Sequence, residues 1–146
     1  MTLLSHSFKV RHLILAAVLT TGLGFVNYAN AQTAQAHRSF LVDLDSRTAV
    51  DLGNLIGRGG VGATGINEAG QVVGESRTAD GDYHAFITGP DGVGMRDLGT
   101  LGGRWSYAYG INDAGQVVGY SNMADNNNHA FISGPDGVGM RDLGTY

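Results

Sequence analysis

Two histidines in matching surroundings, His84 and His129, are the residues of this chain with the widest chemical reach; each opens the tripeptide His-Ala-Phe. Imidazole is the commonest metal ligand, so a histidine repeated at a fixed spacing raises metal binding first. The loops before them carry oxygen donors: Asp80 and Asp82 in one, Asp125 followed by Asn126–Asn128 in the other. Calcium takes about six to eight such oxygens, and a calcium loop of the EF-hand type ends in a bidentate glutamate beyond its glycine. Neither loop supplies that set, so no metal or other cofactor is expected, with Asp80, Asp82 and Asp125 as the oxygen candidates. Repetition favours a structural role for His84 and His129: each unit must solve the same folding problem, and a strand-opening histidine can tie down a neighbouring loop.

Carboxylates beside amides also recur, as Asn67-Glu68 and Asn112-Asp113. Glycoside hydrolysis uses two carboxyl groups roughly 5–9.5 Å apart. Nothing in the sequence places Glu68 near Asp113, both sit at turn-forming positions, and no catalytic residue is assigned. Neither a G-x-S-x-G nucleophile, an H-E-x-x-H zinc helix, a P-loop nor a dinucleotide fingerprint is present. The remaining candidate is Arg104-Trp105-Ser106-Tyr107-Ala108-Tyr109. Its aromatics alternate and share one face of a strand entrance. Exposed, Trp105, Tyr107 and Tyr109 would stack on sugar rings, with Arg104 as a polar clamp. Buried, they would fill the gap between repeat units, which is the favoured expectation.

The elements that must position these residues are repeats. Gly65-Ile66-Asn67-Glu68-Ala69-Gly70-Gln71-Val72-Val73-Gly74 returns 45 residues later, from Gly110 to Gly119, with one change. His84-Ala85-Phe86-Ile87 returns at the same displacement as His129-Ala130-Phe131-Ile132, and Gly89–Thr100 returns unchanged as Gly134–Thr145. A worn leading copy places Phe40 11 residues before Asp51-Leu52-Gly53, the same interval as from Phe86 to Asp97 and from Phe131 to Asp142. Within one unit, Ala108–Ile111, Gln116–Ser121, His129–Ile132 and Met140–Gly144 read as strands, and the turns are Asn112–Gly115 and Pro135–Gly137. Four antiparallel strands in 45 residues is the size of a propeller blade. The expected fold class is all-β: tandem four-stranded antiparallel blade-like repeats, forming an incomplete propeller or a small sandwich, preceded by a helical signal peptide. His84, Phe86, His129, Phe131, Asn67 and Asn112 are its structural motif positions.

The His-Ala-Phe tripeptides, the Gly-Ile-Asn…Gly-Gln-Val-Val-Gly segments and Asp-Leu-Gly-Thr resemble the HAF repeat family of extracellular bacterial proteins over most of residues 40–146. The leading copy departs from that pattern, with Arg38-Ser39-Phe40 in place of His-Ala-Phe. The resemblance implies export and a β-rich repeat, and carries no reaction or ligand with it.

Lys9 and Arg11 precede a 14-residue apolar run, Leu13–Val26, and then Ala29-Asn30-Ala31. A spanning helix needs roughly 20 residues, so this pattern reads as an export signal cut after Ala31, with Ala34-Gln35-Ala36 as a second cut point. Residues 1–31 are then the signal peptide, 32–39 a linker and 40–146 the repeat domain. The domain divides into a half repeat at 40–50, repeats at 51–96 and 97–141, and the start of another at 142–146. Removing Lys9 and Arg11 from the nine basic residues leaves seven arginines against 13 acids, a net charge of −6. Such a surface repels phosphate backbones and anionic lipid, arguing against nucleic acid and, after signal cleavage, membrane. Without cysteine, stability must come from packing and strand pairing. The expectation is a secreted or periplasmic, non-enzymatic structural or binding module, whose partner is a glycan or surface protein and whose exposed strand edges invite self-association. The alternatives are a secreted hydrolase or calcium-dependent carbohydrate-active protein, and a fragment of a longer repeat protein.

Overall fold

The computed structural model describes residues 12–18, 37–55 and 60–145. The described residues are all-β and form three antiparallel sheets, none closed into a barrel. The leading sheet holds β1 (His12–Val18), β2 (His37–Asp43) and β3 (Thr48–Asp51) in that order. The middle sheet holds β4 (Val61–Ile66), β5 (Val72–Arg77), β6 (Tyr83–Thr88) and β7 (Met95–Asp97). The last holds β8 (Ser106–Ile111), β9 (Val117–Asn122), β10 (Asn128–Ser133) and β11 (Met140–Gly144). Each four-stranded sheet is a meander in which successive strands pair, as the turn chemistry between them requires.

The sheets stack through their faces. Successive strand residues point to opposite faces, so a Val-Val pair serves two layers at once. Val72 joins Leu41, Leu52, Val61 and Phe86 in one core cluster; Val73 joins Ala85, Ile87, Ala108, Val117 and Phe131 in the other. Both valines are fully buried, so the middle sheet is covered on both sides. In the last sheet the equivalent pair splits: Val117 is buried and Val118 is 43% exposed. Among the described residues, that sheet packs through one face alone.

One expectation fails. Residues 12–18, read as part of a helical export signal, form strand β1 and pair with β2 from His12↔Asp43 to Val18↔His37. A short apolar run is ambiguous between helix and strand, and the open edge of β2 offers backbone partners that decide it. The rest of residues 1–31, including the expected cut point, lies outside the described residues.

Candidate functional site

The recurring polar residues are absorbed by the fold. His84 Nδ1 lies 2.9 Å from Asp97 Oδ2, and His129 Nδ1 lies 2.9 Å from Asp142 Oδ2, each pair joining the third strand of a sheet to the fourth. The same carboxylates accept from the backbone N–H two residues on, Gly99 and Gly144, both at 2.7 Å. In the leading sheet Arg38 stands where the histidine would be and donates to Asp51 at 3.0 Å, while Asp51 accepts from the Gly53 N–H. The departure from His-Ala-Phe therefore preserves the clasp, with an arginine in the histidine's place. Amide donation by Gly144 and the contact with His129 hold the Asp142 carboxyl below its ordinary range.

The turn amides are similarly committed. Asn67 accepts from the Gln71 N–H, donates to the Gln71 side chain at 2.7 Å, and reaches the Asn112 carbonyl of the next turn at 3.1 Å. Asn112 repeats the local pattern with Gln116. This stacking of turns also brings together what the sequence kept apart: the Glu68 backbone N–H donates to the Asp113 carboxylate at 3.1 Å. Both residues are exposed. Hydroxyls complete the set, with Ser106 accepting from the Ala85 N–H at 2.8 Å across two sheets. No buried side-chain nitrogen or oxygen among the described residues lacks a partner. Phe86 and Phe131 fill the two core clusters.

The acidic loops do not converge. Asp82 forms an ion pair with Arg104 at 2.6 Å, Asp80 is exposed, and both Asp125 oxygens accept from Asn127. Those Asn127 bonds lower the Asp125 carboxyl. No group of three or more His, Asp or Glu able to hold a metal occurs among the described residues. Two open grooves, of about 440 Å³ beside Arg96 and about 370 Å³ beside Arg141, occupy equivalent places in the middle and last sheets. Recurrence assigns them to the repeat unit.

The aromatic stretch breaks the pattern, and it splits in two. Arg104 is tied to Asp82, and the Trp105 backbone bridges Tyr83, so these two residues fasten the start of β8 to the middle sheet. Tyr107 and Tyr109 face the other way. The Tyr107 ring stacks on Tyr120 of β9, with centroids 5.0 Å apart, and Tyr109 lies tilted 5.6 Å from the same ring. Desolvation raises the Tyr107 phenol, with Glu75 adding to the shift. The expected burial between repeat units is not found: Tyr109 is 62% and Trp105 45% exposed. The tyrosines sit on the uncovered face, beside Val118, and among the described residues no following sheet lies over them.

Sequence reasoning missed Tyr120 and Val118, although the 45-residue displacement carries the signal. Tyr107, Tyr109 and Tyr120 stand where the middle sheet has Gly62, Thr64 and Glu75. In the middle sheet that face receives β8: the Thr64 hydroxyl donates to the Ala108 carbonyl at 2.7 Å, and a Cβ on Gly65 would lie 3.5 Å from Gly110 Cα. Thr64 and Gly65 leave room for that approach, and at the places of Gly62 and Thr64 the last sheet carries the rings of Tyr107 and Tyr109. Compared with known proteins, the chain matches no family model and no curated protein.

Proposed function

We propose that this chain is an exported, non-enzymatic binding module, a propeller-like stack of HAF-type repeats whose last sheet presents a tyrosine platform to a glycan. One observation carries the reading: the three positions where the last sheet departs from the middle one toward aromatics adjoin each other on the face that the stack leaves uncovered. Flat phenol rings offer apolar area to the C–H face of a sugar and hydroxyls to its edge, at small entropic cost because each ring has few rotatable bonds. The repeated His, Asn, Ser and Asp groups are committed to clasps and turns, which leaves this non-repeated surface to carry recognition. Export is supported by the basic start, short apolar run and Ala-x-Ala sites, and by the resemblance to an extracellular family.

Glycan-array binding by the wild-type chain, compared with Tyr109→Ala, tests the platform. Tyr109 is exposed, so truncation leaves the core intact. Loss of one stacked ring costs about 1 kcal/mol, a several-fold weakening. A glycan bound equally by both chains, or no glycan bound at all, removes the platform. Trp105→Ala separates the two halves of the aromatic stretch: binding through the tyrosine face is retained, whereas equal loss would place Trp105 in the site.

A further inference from the structure

Among the described residues, the leading sheet holds the third and fourth strands of a repeat unit, β2 and β3, without that unit's own first two. Its register makes the comparison residue by residue. Phe40 pairs with Asp51 on one side and Leu15 on the other. Phe86 pairs with Asp97 and Gly74, and Phe131 with Asp142 and Gly119. β1 therefore occupies the slot that β5 and β9 fill in the complete sheets. In those sheets the residue opposite the phenylalanine is glycine for a steric reason: a Cβ there would run into the carbonyl of Gly62 or Tyr107 on the first strand. β1 carries leucine at that point, and among the described residues no first strand lies beyond it. It fills the slot without the residue that a complete unit requires.

β1 also falls within the stretch that export would cut away, and any role for the bared edge of β2 rests on that export reading. Removal of residues 1–31 leaves β3 as the one partner of β2 among the described residues. The exposed edge would then belong to a third strand, with Ser39 and Leu41 of β2 already packed against the middle sheet. We propose that β2 is a strand acceptor, completed in trans by a two-stranded hairpin of the repeat's own type, Gly-Ile-Asn-x-Ala-Gly-Gln-Val-Val-Gly, presented by another repeat-bearing protein. Backbone hydrogen bonds would supply the affinity and the glycine opposite Phe40 the specificity. A second copy of this chain is the poorer donor. Its two such hairpins, β4–β5 and β8–β9, are already paired with the third strands β6 and β10 of their own sheets, whereas the donor must present a hairpin whose own third strand is missing.

The probe is a fluorescent peptide of residues 106–122, which spans both strands of the β8–β9 hairpin and includes Tyr107, beside the same peptide with Gly119→Leu, titrated by anisotropy into the chain recovered after export and into the full-length chain. Mass spectrometry of the recovered chain reports its N-terminus. The processed chain is expected to bind the first peptide at least about tenfold more tightly than the second, and the full-length chain, with β1 seated, to bind both weakly. Equal binding of the two peptides, binding of neither, or a processed chain that pairs with itself and ignores the peptide overturns the acceptor. If the mass shows residues 1–31 retained, the export reading fails on that measurement alone. The acceptor is then judged with full-length chain carrying Ile14→Pro and Leu15→Pro. Of these adjacent residues one N–H must face β2, so the double change breaks the pairing. Selective binding of the glycine peptide by that variant upholds the acceptor, and its failure to bind sinks it.

Discussion

Gly119→Ala and Gly110→Ala make the same chemical change in neighbouring strands of one sheet, and the structure gives them opposite signs. Neither glycine has the positive φ that would exclude a side chain, so space alone decides. At Gly110 an added methyl would meet only the Val118 side chain, at 3.5 Å, an ordinary contact. Removing glycine's excess freedom in the unfolded chain then stabilises by about 0.5–1 kcal/mol. At Gly119 the methyl would collide with the Tyr107 carbonyl and approach Phe131 Cε1 to 2.9 Å. Phe131 is 1% exposed in the core and the carbonyl belongs to β8, so neither can withdraw freely. Overpacking of this kind costs about 1–3 kcal/mol, less the entropy gain. The entropy gain is common to both, so the two variants should differ by the overpacking alone, about 1–3 kcal/mol, or roughly 5–15 °C in Tm for a domain of this size. Urea denaturation followed by far-ultraviolet circular dichroism measures both against wild type. A Gly119→Ala chain as stable as wild type, or more so, would refute the account of why glycine stands opposite each phenylalanine.

Phe131→Ala should cost about 3–5 kcal/mol in the same assay, because the ring is fully buried among Val73, Ile87 and Val117, whereas the exposed Tyr109→Ala should fall within about 0.5 kcal/mol of wild type. Asp142 has a lowered folded pKa, so its contribution is present above the ordinary carboxylate range and lost as pH falls through the lowered value. Asp142→Asn should thus melt below wild type at neutral pH, with the gap closing in strong acid; a gap constant across that range would count against the clasp. Glu75 is the reverse case: burial raises its pKa, so its charge opposes folding at neutral pH. Glu75→Gln should raise Tm near pH 7 and leave it unchanged once Glu75 is protonated in acid. Because Asp125 and Asp82 are committed to Asn127 and Arg104, EDTA should not shift the Tm, and a fall would reopen calcium binding.

The repeat makes the strand pattern of this protein legible in its sequence. The 45-residue displacement, together with turn residues at Asn112–Gly115 and Pro135–Gly137, places four strands per unit because alternation and turn chemistry are local properties. It also marks His84 and His129 as recurring positions, although the residues they contact, Asp97 and Asp142, lie 13 residues away and are fixed only by strand register. Local pattern failed at residues 12–18, where an apolar run suits helix and strand alike and pairing with β2 decides. It failed again at the aromatics, since alternation says which residues share a face but not what covers it. Only the stacking order sets Val73 against β8 and leaves Val118, Tyr109 and Tyr120 on the outer side: burial belongs to the neighbouring sheet, and the neighbour is a tertiary fact.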